Sequence, residues 1–149
     1  MMKWASAISN EGDLATALDE CASQVSTELG QDSPASLVVV FASATYNDSP
    51  AEVPRVLGNH FPDAMILGCT GAGIIGAARE IEQQSAVALT VGYLPGVETK
   101  PFRVISDELP SPDEPPDAWA NILGVTPEEK PPFLVLMDPF SMAGEGILS

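Results

Sequence analysis

The spacing of apolar positions divides the chain into short alternating blocks. Residues 3-KWASAIS-9 read as a first strand. Leu14, Ala17, Leu18, Cys21, Ala22, Val25 and Leu29 then recur at the 3.6-residue period of one helical face. Asn10 or Asp13 stands where an N-cap belongs, and Gly30 follows Leu29 as a C-terminal stop. After the loop 31-QDSPAS-36, the continuous run 37-LVVVFAS-43 suits a strand covered on both faces. A second helix is expected from about Pro50 to Phe61, with Ser49 as N-cap and Val53, Val56, Leu57 and Phe61 turned inward. Residues 64-AMILGC-69 form a third apolar strand.

The second half is less regular. The segments 85-SAVALTVGYL-94 and 97-VETKPFRVI-105 flank Pro95-Gly96 and read as an antiparallel hairpin. Residues 107–117 are acidic, proline-rich and without apolar period, as in an exposed loop. A helix from about Ala118 to Leu123 turns Trp119 and Ile122 inward, and 133-FLVLMDP-139 reads as another buried strand. The fold class is therefore α/β: a layered mixed β-sheet with flanking helices, β-α-β-α-β at the start and a hairpin after it. One domain accounts for all 149 residues. The last apolar strand delivers the loop 138-DPFSMAGEG-146 with nothing after it to cover it. That arrangement is expected of an N-terminal fragment lacking a further C-terminal domain. A fragment of this kind is also expected to self-associate through the surface left bare.

Composition narrows the function classes. Twenty-one acids against six bases give a net charge of −15. The bases are scattered singly, so neither nucleic acid nor an anionic membrane finds a basic patch. No apolar run approaches the roughly 20 residues of a membrane span, and Met1-Met2-Lys3-Trp4 opens no signal peptide. A cytoplasmic protein is expected. Cys21 and Cys69 are too few for a disulfide framework or a zinc site, and His60 is the sole histidine. No metal and no cofactor is implied.

The stretch 63-DAMILGCTGAGIIGAARE-80 holds the candidate chemistry. Gly71, Gly73 and Gly76 spell the dinucleotide motif G-x-G-x-x-G after a strand. That motif also needs a crossover helix of about a dozen residues and an acid about 20 residues on. Residues 77–84 allow only about two turns, and the next strand ends in Tyr93-Leu94-Pro95. No Gly-Lys-Ser/Thr follows, so a P-loop fails as well. Two readings remain. The glycines permit a tight turn or a close backbone approach, or their N–H groups form an anion-binding nest that Arg79 completes.

The blocks 38-VVVFAS-43, 52-EVPRVL-57, 66-ILGCTGAGIIGAAREIE-82, 94-LPGV-97 and 138-DPFS-141 together resemble the N-terminal part of FIST proteins. The likeness spans nearly the whole chain and is strongest at Gly-Cys-Thr-Gly followed by Arg-Glu. It implies an intracellular signal-transduction sensor of the bacterial type that binds a small ligand, with amino acids proposed. It also implies that Gly68, Cys69, Thr70, Gly71, Gly73, Arg79 and Glu80 occupy the family's signature loop. No catalytic residues come with the resemblance. The candidate ligand contacts are Cys69, Thr70, Gly71, Gly73, Arg79, Glu80, Asp138 and Ser141. Three apolar strands end in the loops Ser43-Ala44-Thr45-Tyr46, Cys69-Thr70-Gly71 and Asp138-Pro139-Phe140-Ser141, which converge if the strands run parallel.

Two other functions compete. The first is an interaction or structural domain without a small ligand, for which the 107–117 loop offers a docking tail or merely a solvated linker. The second is a cysteine-dependent enzyme using Cys69. That enzyme needs His60 as base, yet His60 belongs at a helix C-terminus on the far edge of the sheet. The blander expectation for Cys69 is a small buried hydrophobe, and for Asp138 a turn former.

Overall fold

The inward face of the first helix organises one side of the molecule. In the computed structural model, which describes residues 1–46, 50–105, 108–111, 113–126 and 128–138, helix α1 spans Leu14–Leu29. All seven residues of its predicted stripe are buried. Asp13 caps it, its carboxylate accepting from the Thr16 N–H at 2.9 Å and the Thr16 hydroxyl at 2.7 Å. Those bonds hold the Asp13 carboxyl below its usual range. Gly30 ends the helix at φ 81°, where a side chain would be strained.

The chain forms two units, Met1–Thr99 and Lys100–Ser149. In the first, β1 (Lys3–Ser9), β2 (Leu37–Ser43), β3 (Met65–Gly71) and β6 (Val87–Tyr93) make one sheet, with helix α2 at Glu52–His60. The strand order is β1-β6-β2-β3. β2 and β3 are parallel, while β6 runs antiparallel to both β1 and β2. The three strands β1, β2 and β3 therefore point the same way, and their carboxyl ends share one edge of the sheet. α1 and α2 cover one face through Leu18, Leu57, Val38, Leu89 and Val91. Alternate residues turn to the other face, where Ile8, Phe41 and Ala88 meet Ile74 and Ile81 of a two-stranded hairpin. The mixed α/β sheet expected from the pattern is the observed architecture.

That hairpin corrects the reading of the glycine stretch. Residues 71–84 hold neither a turn at the glycines nor a short helix, but β4 (Gly73–Gly76) and β5 (Arg79–Glu82) in antiparallel register. Ile74 and Ile81 pair across it and bury together, an apolar contact that outweighs weak local preference. The two-residue loop Ala77-Ala78 has φ of 45° and 59°, as the primed turns of tight hairpins require. Alanine in that region costs about 1–2 kcal/mol. Ala78→Gly is therefore expected to raise stability by about 0.5–1 kcal/mol after allowing for glycine's unfolded entropy. Urea unfolding checks this, and a lower midpoint would refute the assignment.

Other boundaries move. α2 begins at Glu52 rather than Pro50, and its cap, Ala51, makes no side-chain bond. Ser49 lies outside the described residues. Val56, Leu57 and Phe61 are buried as expected, and Val53 packs against them. The Pro95-Gly96 turn forms, with the Val97 N–H donating to the Leu94 carbonyl at 3.2 Å and Gly96 at φ +79°. Residues 97–105 make no strand, because β1 and β6, and β2 and β6, already pair along both edges of β6. Within the acidic loop, the Glu108 N–H donates to Ile105 and the Glu114 N–H to Ser111.

In the second unit, helix α3 spans Pro116–Leu123, two residues earlier than expected, and ends at Gly124 with φ 66°. Trp119 and Ile122 are half-buried and Ala120 is buried. The expected strand at 133–139 is absent among the described residues. Phe133, Leu134, Val135 and Leu136 are exposed. A strand persists only when its N–H and C=O groups pair, and no described strand pairs with this one. Phe133 meets Phe102 edge-to-face at 5.9 Å.

Candidate functional site

The common carboxyl edge of β1, β2 and β3 concentrates polar side chains. The Ser43 hydroxyl closes β2, accepting from the Ala86 N–H at 2.9 Å and lying 2.8 Å from the Thr45 hydroxyl. Thr45 in turn meets the Ser85 hydroxyl at 3.0 Å. Ser9, the last residue of β1, donates to Glu20 at 2.5 Å. Tyr46 donates to the Glu11 carbonyl at 2.5 Å, and burial pushes its phenol up. Ser43 and Ser9 are buried and fully engaged, whereas Thr45 reaches solvent.

β3 delivers Cys69, Thr70 and Gly71 to the same edge, beside Ser43 through the Ser43↔Gly71 register. Cys69 and Thr70 are exposed. Cys69 pairs with Phe41 and faces the hairpin side, while Thr70 pairs with Ala42 and faces the helix side. Gly73 opens β4 immediately afterwards. The structure thus brings Cys69, Thr70, Gly71 and Gly73 together with the loop Ala44–Tyr46.

Arg79 and Glu80 lie elsewhere. Gly76, the register partner of Arg79, rests on Ala88 and Ala7. Arg79 therefore sits over β6 and β1, two strand spacings from β3 or about 10 Å. Arg79 shares the sheet-facing side of the hairpin with Ile81, and Glu80 the outer side with exposed Ile75. Arg79 is exposed and makes no ion pair or hydrogen bond with a described residue. Asp138 is exposed in the second unit, and Ser141 lies outside the described residues.

Gly68 and Gly76 serve close approach, and Gly73 does not. Among the described glycines, positive φ occurs at Gly30, Gly96 and Gly124, not at Gly71, Gly73 or Gly76. A Cβ on Gly76 would come 2.7 Å from the Ala88 Cβ. The expected nest of N–H groups is replaced by extended strand.

The cysteines divide. Cys69, expected to be buried, is exposed because β3 is an edge strand. Cys21 is buried against the Val87 carbonyl at 3.7 Å. Burial first, then neighbouring Glu20, pushes its thiol up to about 12. One fast-reacting thiol is therefore expected in the native protein with an aromatic disulfide reagent, abolished by Cys69→Ser. Two fast thiols would contradict the burial of Cys21. His60 bonds Asp19 at 2.8 Å between α1 and α2, so the sheet separates it from Cys69.

Ser9, Glu20 and Ser85 escaped the sequence reading. Ser9 ends β1 and Ser85 precedes β6, while Glu20 lies on α1, and no local pattern puts the three at one edge. Among the described residues, no group of three or more His, Cys, Asp or Glu is placed to hold a metal, and no helix is long and apolar enough to cross a membrane.

A family profile described as FIST N domain matches residues 36–149. No curated protein and no solved structure matches the chain.

Proposed function

The chain belongs to the FIST family, which is associated with signal-transduction sensing, and on that premise we propose that it is a small-ligand-binding sensory domain of intracellular signalling. Its ligands in this reading are amino acids or other small carboxylates. The observation that carries the reading is the shared carboxyl edge of β1, β2 and β3, where Thr45, Cys69 and Thr70 stand exposed beside the strand-linking glycines. Open α/β sheets bind ligands beyond the carboxyl ends of their strands. The hydroxyls of Thr45 and Thr70 offer donors to a carboxylate.

Thermal-shift screening of the protein against the amino acids tests this. Stabilisation of about 2.7 kcal/mol is expected at a ligand concentration 100 times Kd. A flat response to every amino acid at millimolar concentration sinks the amino-acid version. For a ligand that does bind, Thr70→Val should weaken it and Arg79→Ala should not. The reverse pattern would return the site to the hairpin.

One observation favours a second reading, docking of another protein. Phe133 to Leu136 form a contiguous exposed apolar run. A C-terminal domain of the same protein, or a second copy, is the occupant in that reading. Self-association in light scattering, with no ligand response, would favour it.

A further inference from the structure

The helical layer holds a second concave feature, distinct from the strand ends. A groove of ≈ 370 Å³ lies between α1 and α2, lined by Ala15, Thr16, Asp19, Arg55, Val56, Asn59 and His60. That volume suits a small organic molecule. Ala15 and Val56 supply apolar contact, and the remaining residues are polar.

The charges in the groove are arranged in pairs of opposite sign. His60 on α2 meets Asp19 on α1 at 2.8 Å. Arg55 meets Glu52 one turn earlier on α2, its Nε at 2.8 Å. Neither pair exhausts its members. His60 engages Oδ1 of Asp19, Oδ2 bonds no described residue, and the Asp19 side chain is 67% exposed. Arg55 uses Nε and Nη2 toward Glu52 and keeps its Nη1 donors. Asn59, four residues after Arg55 and on the same helical face, is exposed and bonds no described residue.

The sign of the whole chain decides what such a groove accepts. At −15 overall, a simple anion is repelled before it arrives. The cations of the first unit are Lys3, Arg55 and Arg79, with His60 as the titratable fourth. Lys3 is committed to the Leu29 carbonyl and the Ser33 hydroxyl. Two of the four therefore line this one groove, with an acid opposite them. A lone cation would meet Arg55, and a lone anion would meet Asp19.

We propose that the α1–α2 groove binds a small dipolar molecule, its carboxylate on Arg55 and Asn59 and its ammonium on Asp19. The site is independent of the strand-end site, so either can fail without the other. The ligand adds a polar bridge between two helices that already pack through Leu18 and Leu57 and through the His60–Asp19 pair. Occupancy therefore braces α2 against α1, and α2 leads directly into β3.

Amide NMR titration of the whole protein tests the proposal with probes matched in size. 4-Aminobutyrate carries both charges, butyrate only the anion and butylammonium only the cation. The expected result is saturable shifts at Thr16, Asp19, Arg55, Asn59 and His60 with 4-aminobutyrate alone. Asp19→Asn and Arg55→Gln should each weaken that binding at least tenfold, with unchanged spectra away from the groove. Arg55→Lys, which keeps the charge but loses the fork, should weaken it less than Arg55→Gln. Equal responses to all three probes overturn the proposal. So do shifts confined to Thr45, Cys69, Thr70 and Ser85, which would leave the strand-end site standing alone.

Discussion

Gly68→Ala is expected to lower stability by about 3 kcal/mol, the upper part of the overpacking range. Gly68 lies opposite Val40 in the parallel β2–β3 pair. A Cβ there would collide with the Val40 carbonyl oxygen and come 2.7 Å from Val40 Cγ1 and 2.8 Å from its carbonyl carbon. A Cβ has no rotamer, so the strand itself must move. β3 is paired in the sheet only through β2, and the displacement is paid in ladder hydrogen bonds at the strand that carries Cys69 and Thr70. The control is Gly73→Ala, whose Cβ meets nothing nearer than 3.5 Å. It should fall within about 0.5 kcal/mol of the parent. Urea midpoints of the two variants settle the matter, and equal losses would mean that the glycines are needed for something other than close approach.

Leu18→Ala is the second large effect, at about 2–5 kcal/mol. Leu18 is fully buried in the cluster formed by α1, α2 and the sheet, with Leu57, Leu89 and Val38. Deleting its isobutyl group leaves a cavity that neighbours on rigid strands fill poorly. Ile74→Ala, in the smaller cluster under the hairpin, makes an instructive comparison. Its loss should free β4 and β5 locally while the main sheet persists, so hydrogen exchange should accelerate at Ile74–Glu82 more than in β6. If Leu18→Ala unfolds with the parent's midpoint, the helical layer is not the principal core.

These two positions also mark what was legible beforehand. The stripe of α1 was readable residue by residue, because a 3.6-residue period repeated over four turns has one interpretation. The run at 37–43 was equally plain, since β-branched residues without alternation suit a covered strand. The stretch 71–82 was not. Its glycines match several local structures, and only the burial of Ile74 against Ile81 on the sheet selects a hairpin. The segment 97–105 looked like a strand because local propensity says nothing about free edges, and β6 has none. Phe133–Leu136 misled in the same way, being apolar and β-prone without a partner among the described strands.

The candidate site divides along the same line. Cys69, Thr70 and Gly71 could be placed at a strand end from sequence, and they are there. Arg79 is ten residues after Cys69, but the direction in which the hairpin crosses the sheet sets its distance, and no local pattern encodes that direction. Ser43, Thr45 and Ser85 meet because β6 inserts between β1 and β2, a long-range fact. The exposure of Cys69 follows from β3 being an edge strand, which the order of strands along the chain does not reveal.

The central claim is that small ligands enter at the carboxyl ends of β1, β2 and β3. Amide NMR of the protein titrated with the amino acid that gives the largest thermal shift tests it most directly. The expected result is saturable perturbation centred on Thr45, Cys69, Thr70, Gly71, Gly73 and Ser85, lost in Thr70→Val. Saturable binding that leaves those amides unmoved would contradict it.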